Sequence, residues 1–166
     1  MILDVLRIPN VILKTRAHLI DPSTPGIQSF IDDMVETLYH HPRCVGLAAN
    51  QVGKPWRVIV VDASRIDKEG SQHGRVILLN PWIVRREGQR LLREGCLSVP
   101  DYTGNVARAL GVEVHGKDRA GNSVEIRADG FEAVVFQHEL DHLDGKLFLD
   151  RVASLETDVF RRKKYY

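Results

Sequence analysis

The sequence is short of cysteine, carries almost no net charge and has no long apolar run, and each shortage removes a class of protein. Two cysteines, Cys44 and Cys96, in 166 residues cannot staple a disulfide scaffold; in a reducing compartment such thiols are free, catalytic or metal-bound. A Cys44–Cys96 disulfide is the alternative reading. A net charge of +1 leaves no footprint for DNA and no acidic solvating tail. No apolar stretch approaches a membrane span, and the first residues lack the basic, apolar and small-residue zones of a secretory leader. A cytoplasmic protein that engages neither DNA nor a membrane is therefore expected, and a monomer. Internal repeats and low-complexity tracts are also missing.

What is present, 43% hydrophobic and 27% charged residues, suits one domain with a core of its own. Ile27, Phe30, Ile31, Met34 and Leu38 recur at helical spacing, and Pro42 stops that helix. Arg57 to Asp62 is a β-branched run that reads as a buried strand. Val76 to Leu79 and Trp82 to Arg85 read as two further strands broken at Asn80-Pro81. Val112 to His115 and Ser123 to Arg127 alternate around Asp118-Arg-Ala-Gly-Asn, as a hairpin with one wet face does. Asp129 and Glu132 resemble a capping box opening a second helix, which Gly145 closes. Segregated strands and helices argue for an α+β fold: mixed, mostly antiparallel strands packed around that second, central helix.

On this helix Phe131, Val134, Val135, His138 and His142 share one inward stripe, so an apolar face presents two imidazoles one turn apart. With Glu139 beside them they form His-Glu-Leu-Asp-His, an HExxH motif whose histidines can share an ion. A tetrahedral catalytic site needs a third ligand and an open position. The extended HExxHxxGxxH pattern fails because Phe148 replaces its last histidine. A downstream glutamate is poorly supplied, since position 162 is Arg162 and the nearest acids, Glu156 and Asp158, lie in a polar tail. Cys96 remains, in the turn-like Glu94-Gly-Cys-Leu-Ser, and a thiolate binds zinc or ferrous iron strongly.

Three stretches, Cys44-Val-Gly-Leu-Ala-Ala-Asn-Gln51, Glu94-Gly-Cys-Leu-Ser98 and Gln137-His-Glu-Leu-Asp-His142, together make the chain resemble peptide deformylases, whose ordered motifs are GxGLAAxQ, EGCLS and QHExxH. The resemblance runs over residues 1–150, a single catalytic domain, and fades in the polar, basic, weakly helical tail 151–166. It implies a hydrolase that removes the formyl group from the formyl-methionine of nascent polypeptides, using one divalent metal on Cys96, His138 and His142. Ferrous iron is the implied physiological ion, with zinc, nickel or cobalt as substitutes. Glu139 would carry the proton, while the Gln51 amide and the Leu97 backbone N–H would hold the charge that develops on the formyl oxygen. Val45, Phe131, Val134 and Val135 would wall the methionine pocket, and Gly46 would pair with the extended peptide.

One position departs from the pattern: Cys44 stands at the first glycine of GxGLAAxQ, which is expected to restrict the backbone beside the cleft. The basic run Arg161-Arg-Lys-Lys would let the tail touch ribosomal RNA near emerging chains. Two rival readings keep the same helix: an HExxH zinc endoprotease, and a catalytically silent module that binds metal or peptide N-termini. Formate release from a formyl-Met peptide, assayed beside cleavage of an internally quenched peptide, separates all three.

Overall fold

In the computed structural model, which describes residues 1–165, strands dominate and lie antiparallel to one another. Helix α1 spans Ile27–His40. The strands are β1 Gly46–Ala48, β2 Val58–Val61, β3 Val76–Glu87, β4 Arg90–Cys96, β5 Val99–Arg108, β6 Gly111–Lys117, β7 Ser123–Asp129 and β8 Val159–Arg161, and helix α2, Gly130–Leu143, lies between the last two. They form a five-stranded sheet ordered β1-β2-β3-β6-β7 and a three-stranded sheet ordered β4-β5-β8. The mixed α+β architecture with α2 at its centre is the one expected. No helix among the described residues is long and apolar enough to cross a membrane.

The periodic apolar residues explain the packing. Ile27, Ile31, Met34 and Leu38 are fully buried against Leu47, Val58 and Val60, so α1 covers one face of β1 and β2. Ile59, Leu78, Val114 and Ile126 on the opposite face meet Ala133, Phe136, Leu140 and Leu143 of α2. Leu13, Val99, Val106, Leu147 and Phe148 form a third core under the small sheet. Helix α2 is thus enclosed on all sides. Even Glu132, Gln137, Glu139 and Asp141 are buried, a burial that a one-stripe amphipathic reading does not anticipate.

Both ends of α2 are tied down. At the C-terminus Gly145 takes φ +74°, the left-handed turn that glycine tolerates best. Arg57 donates to the Leu143 carbonyl at 3.1 Å and to Asp144 at 3.0 Å, while the Asn50 amide donates to the His142 carbonyl. At the N-terminus the expected capping box is not formed: Asp129 makes no side-chain cap. Asp129 instead accepts from the Ser71 N–H at 2.8 Å, and Glu132 accepts from the Ser71 hydroxyl and the His73 N–H, each at 2.8 Å. The incoming loop has taken both carboxylates.

Two other expectations are corrected. Val76 to Arg85 is one strand rather than two, because Asn80 adopts φ +53° and the register shifts between Leu79 and Trp82. This is a bulge, where proline's missing N–H does no harm. Asn80 holds it by accepting from the Ile20 N–H at 2.9 Å and donating to the Ile20 carbonyl at 2.8 Å. The tail is not helical: Tyr102, Thr103 and Gly104 pair with Arg161, Phe160 and Val159, so an open sheet edge overrides a weak helical preference. Tyr166, its last residue, lies outside the described residues. The 112–115 and 123–127 hairpin forms as expected.

Asn80→Ala should lose both hydrogen bonds and retain the left-handed strain, lowering unfolding free energy by roughly 2–3 kcal/mol in urea titration. Asn80→Gly, which relieves the strain, should lose less.

Candidate metal centre

Strand β4 ends at Cys96, where a register shift between Gly95 and Cys96 turns the chain toward β5. That irregularity aims the thiol at α2. The Cys96 Sγ lies 3.3 Å from the His142 Nε2, and ligand atoms of Cys96, His138 and His142 all fall within 4.8 Å of one another. Ordinary metal–sulfur and metal–nitrogen bonds at a tetrahedral angle would separate sulfur from nitrogen by about 3.5 Å. The three residues therefore fit a single divalent ion. Cys44 and Cys96 are both free, so the disulfide reading is overturned.

Glu94 completes the geometry. Its carboxylate accepts from the His138 Nδ1 at 2.7 Å, which leaves Nε2 of that ring for the ion, the usual carboxylate–histidine–metal relay. Arg108 donates to both Glu94 oxygens, at 2.7 and 2.9 Å, and to Asp141 at 2.6 Å. Arg151 closes the chain onto Asp141 at 2.8 Å. Glu94 is drawn down to about 2 because hydrogen bonds from Arg108 and His138 outweigh its burial. Burial pulls His138 down, but bonds to Cys96 and Glu94 reverse this and hold it well above the usual histidine range. Burial and the His138 charge keep His142 well below that range.

Beside the candidate ligands, burial pushes the Glu139 carboxyl up to about 7, and its Oε2 has no hydrogen-bond partner among the described residues. A buried carboxylate oxygen without a partner is costly unless a ligand or solvent supplies one. Gln51 is held by the Ala48 N–H, which donates to its Oε1 at 2.9 Å, while its Nε2 points to Cys96 Sγ at 3.4 Å and Ser98 Oγ at 3.1 Å. The amide N–H₂ is thus turned toward the ligands by a fixed Oε1.

These groups open into a cavity of about 800 Å³. Gln51, Leu97 and all five residues expected around the substrate, Val45, Gly46, Phe131, Val134 and Val135, line it. Strand β1 is the edge of its sheet, so one side of the 46–48 backbone is not taken by a neighbouring strand. Gly46 has a second reason to be glycine. A Cβ there would stand 2.7 Å from the Glu139 Cδ, closer than real side chains approach. Cys44 lines the cavity, and its thiol donates to the Gly46 carbonyl at 3.3 Å, but it does not take the backbone conformation that favours glycine. The left-handed residue is Arg43, φ +61°, and the Cys44 side chain turns into the core beside Phe30, Leu38 and Leu47, where burial pushes its thiol up to about 12.

Sequence reasoning had assigned no role to Glu94, Arg108, Asp141 or Arg151. The rule that a metal-bound histidine needs an acceptor on its second nitrogen could have nominated Glu94, two residues before Cys96. Arg108 and Arg151 had no signal, since their partners are distant in sequence.

A thiol and two helix-borne imidazoles close enough to share one cation, with a carboxyl beside them and a cleft in front, are the arrangement of a metal-dependent hydrolase. The family model for polypeptide deformylase matches residues 2–158. A peptide deformylase of Syntrophobacter fumaroxidans is 46% identical over 162 residues, 98% of this chain and 93% of that protein. A Legionella pneumophila peptide deformylase superposes with a TM-score of 0.84 at 38% identity, covering 94% of this chain and 89% of that one. A Met-Ala-Ser-bound peptide deformylase from Acinetobacter baumannii gives 0.83 at 34% identity, over 92% and 99%. The chain belongs to the polypeptide deformylase family. Its activity is the metal-dependent removal of formyl groups from nascent polypeptides, and the endoprotease and silent-module readings fall away.

Gly46→Ala should displace the Glu139 carboxylate and cut formate release by about 10²-fold while metal content, read by atomic emission, stays the same. Arg108→Met leaves the buried Glu94 without its guanidinium and Asp141 with Arg151 alone, and should cost roughly 3–5 kcal/mol in chemical denaturation.

Proposed function

We propose that Cys96, His138 and His142 hold one divalent ion, that Glu139 carries the proton, and that Gln51 and the Leu97 backbone N–H orient the formyl oxygen. The observation that carries this assignment is the unpartnered Glu139 carboxyl placed next to three converging ligand atoms. When bound, the ion supplies a Lewis acid that brings water into nucleophilic form near neutral pH. Glu139, raised by burial, takes the proton released in the attack and returns it to the amide nitrogen as the carbon–nitrogen bond breaks. Formate leaves, and a free amine remains. Negative charge growing on the formyl oxygen meets the Gln51 Nε2–H and the Leu97 N–H, donors held in place before reaction begins; such a donor is worth about 3 kcal/mol. Val45, Phe131, Val134 and Val135 enclose the methionine side chain. Gly46, on the open edge of β1, pairs with the peptide backbone.

We assign ferrous iron as the working ion, with zinc, nickel or cobalt able to replace it, because all four accept a Cys-His-His set. The enzyme works as a cytoplasmic monomer, where formylated chains are made. Residues 1–150 are the catalytic unit and 151–166 an appended strap. The exposed tail cations Arg161, Lys163 and Lys164 offer contacts to ribosomal RNA phosphate.

The decisive experiment is anaerobic purification with metal analysis, then formate release from formyl-Met-Ala-Ser. Glu139→Gln should keep its metal and lose about 10²–10⁴-fold in kcat, and Cys96→Ser should lose metal and activity together. Retained metal in Cys96→Ser, or cleavage of an internally quenched peptide without formate release, would overturn the assignment.

A further inference from the structure

The basic run of the tail is divided by the fold. Arg161, Lys163 and Lys164 are exposed, whereas Arg162 is half-buried and lines the catalytic cavity with Gly95, Cys96 and Leu97. Pairing of β8 on β5 sets this direction, and the Arg162 N–H donates to the Asp101 carbonyl at 2.8 Å. The next turn of chain is pinned where the Tyr165 hydroxyl donates to Asp101 at 2.9 Å. The guanidinium packs over Gly95. Its Nη2 is 2.5 Å from the place a Cβ on that residue would occupy, so the absence of a side chain at position 95 makes the seat.

Among the described residues this guanidinium has no counter-ion. Arg108 and Arg151 spend their Nε on Glu94 and Asp141, but the Arg162 Nε is buried with no partner, and no carboxylate among the described residues pairs with it. The cavity lining also includes the exposed cations Arg7, Lys68, Arg90 and Arg93, against the carboxylates Glu69, Glu94 and Glu139. Of these Glu94 is already engaged by Arg108 and His138, and Glu139 stands beside the ligands. With a net charge of only +1 over the whole chain, the excess of positive charge belongs to this mouth. A fixed, partly desolvated guanidinium is a fork built for carboxylate.

We propose that Arg162 is a specificity-determining residue that binds a side-chain carboxylate at the second or third residue of the formylated peptide, so that the enzyme favours chains with acidic starts. The inference rests on the deformylase reading and deepens it. Reach fixes the position. Consecutive Cα atoms stand about 3.8 Å apart and an extended chain advances ~3.3–3.6 Å per residue. Arg162 sits over the residue adjacent to Cys96, so the part of a peptide that passes it lies two or three residues beyond the formyl group. The carboxylate displaces water from the guanidinium and is held by charge-assisted hydrogen bonds, with no covalent step.

The test walks one Glu, Gln or Lys through the second to fourth residues of formyl-Met peptides and compares kcat/KM. The same deformylated peptides are also titrated by calorimetry, so that selectivity is read even if no formate is released. Wild type should favour Glu over Gln by about tenfold at the second or third residue, and high salt should shrink the ratio. Arg162→Gln should bring the ratio close to one, and Arg162→Glu should turn the preference toward Lys. Equal ratios in wild type and Arg162→Gln overturn the proposal, as does an Arg162→Gln loss that is uniform across peptides, which would mark Arg162 as a prop for β8. Absence of formate with intact binding selectivity would overturn the catalytic assignment and leave this inference standing.

Discussion

The Glu94 carboxylate, clasped by Arg108 and bonded to His138, is the joint on which the site depends. One face of it belongs to β4, two residues from the ligand Cys96; the other faces α2, where the histidines sit. Without this carboxylate nothing would hold the His138 ring in one tautomer, and nothing would fix the distance between the small sheet and the helix. Arg108 extends the tie to Asp141, so the charge that the sheet contributes is balanced from the helix side. A buried ion pair of this kind stabilises little against an apolar replacement, but losing one partner is severe. The value of the network is positional: it makes three ligand atoms converge before any ion arrives.

That convergence imposes an unusual helix. Helix α2 buries carboxylates and amides as well as apolar groups, and each buried polar group has been given a task. Glu132 anchors the loop around Ser71 and His73, Gln137 bonds to both backbone groups of Ala109 at 2.9 Å, and Asp141 takes two arginines. Among the buried carboxylates of this helix Glu139 is the one with an oxygen left unpaired, and Gly46 supplies the space for it.

The second sheet connects this centre to selectivity. Strand β4 delivers Cys96, β5 delivers Arg108, and β8, added at the edge, delivers Arg162 to the mouth of the same cavity. Candidate ligand and free guanidinium therefore stand side by side on one small sheet, with Gly95 giving room to Arg162 and Cys96 next to it presenting its sulfur.

Much of this was legible in the order of residues. The period of the apolar residues fixed both helices, the hairpin at 112–127 followed from alternation, and the meeting of His138 and His142 on one face with Glu139 beside them followed from helical spacing, while Cys96 was nominated by elimination and by the family resemblance. Other features were beyond reach. Asn80-Pro81 reads locally as a break, yet Ile20, sixty residues away, supplies the hydrogen bonds that turn it into a bulge. Asp129 and Glu132 have the spacing of a cap, yet a loop with unsatisfied donors competes for them and wins. The tail has a weak local preference, yet a vacant sheet edge decides its form. The sequence by itself determined the elements and the chemistry of the ligands, since these depend on periodicities and side-chain types within one segment. Only the tertiary structure decided which carboxylate orients His138, which cation balances it and where Arg162 points, because those choices depend on partners that local sequence cannot name.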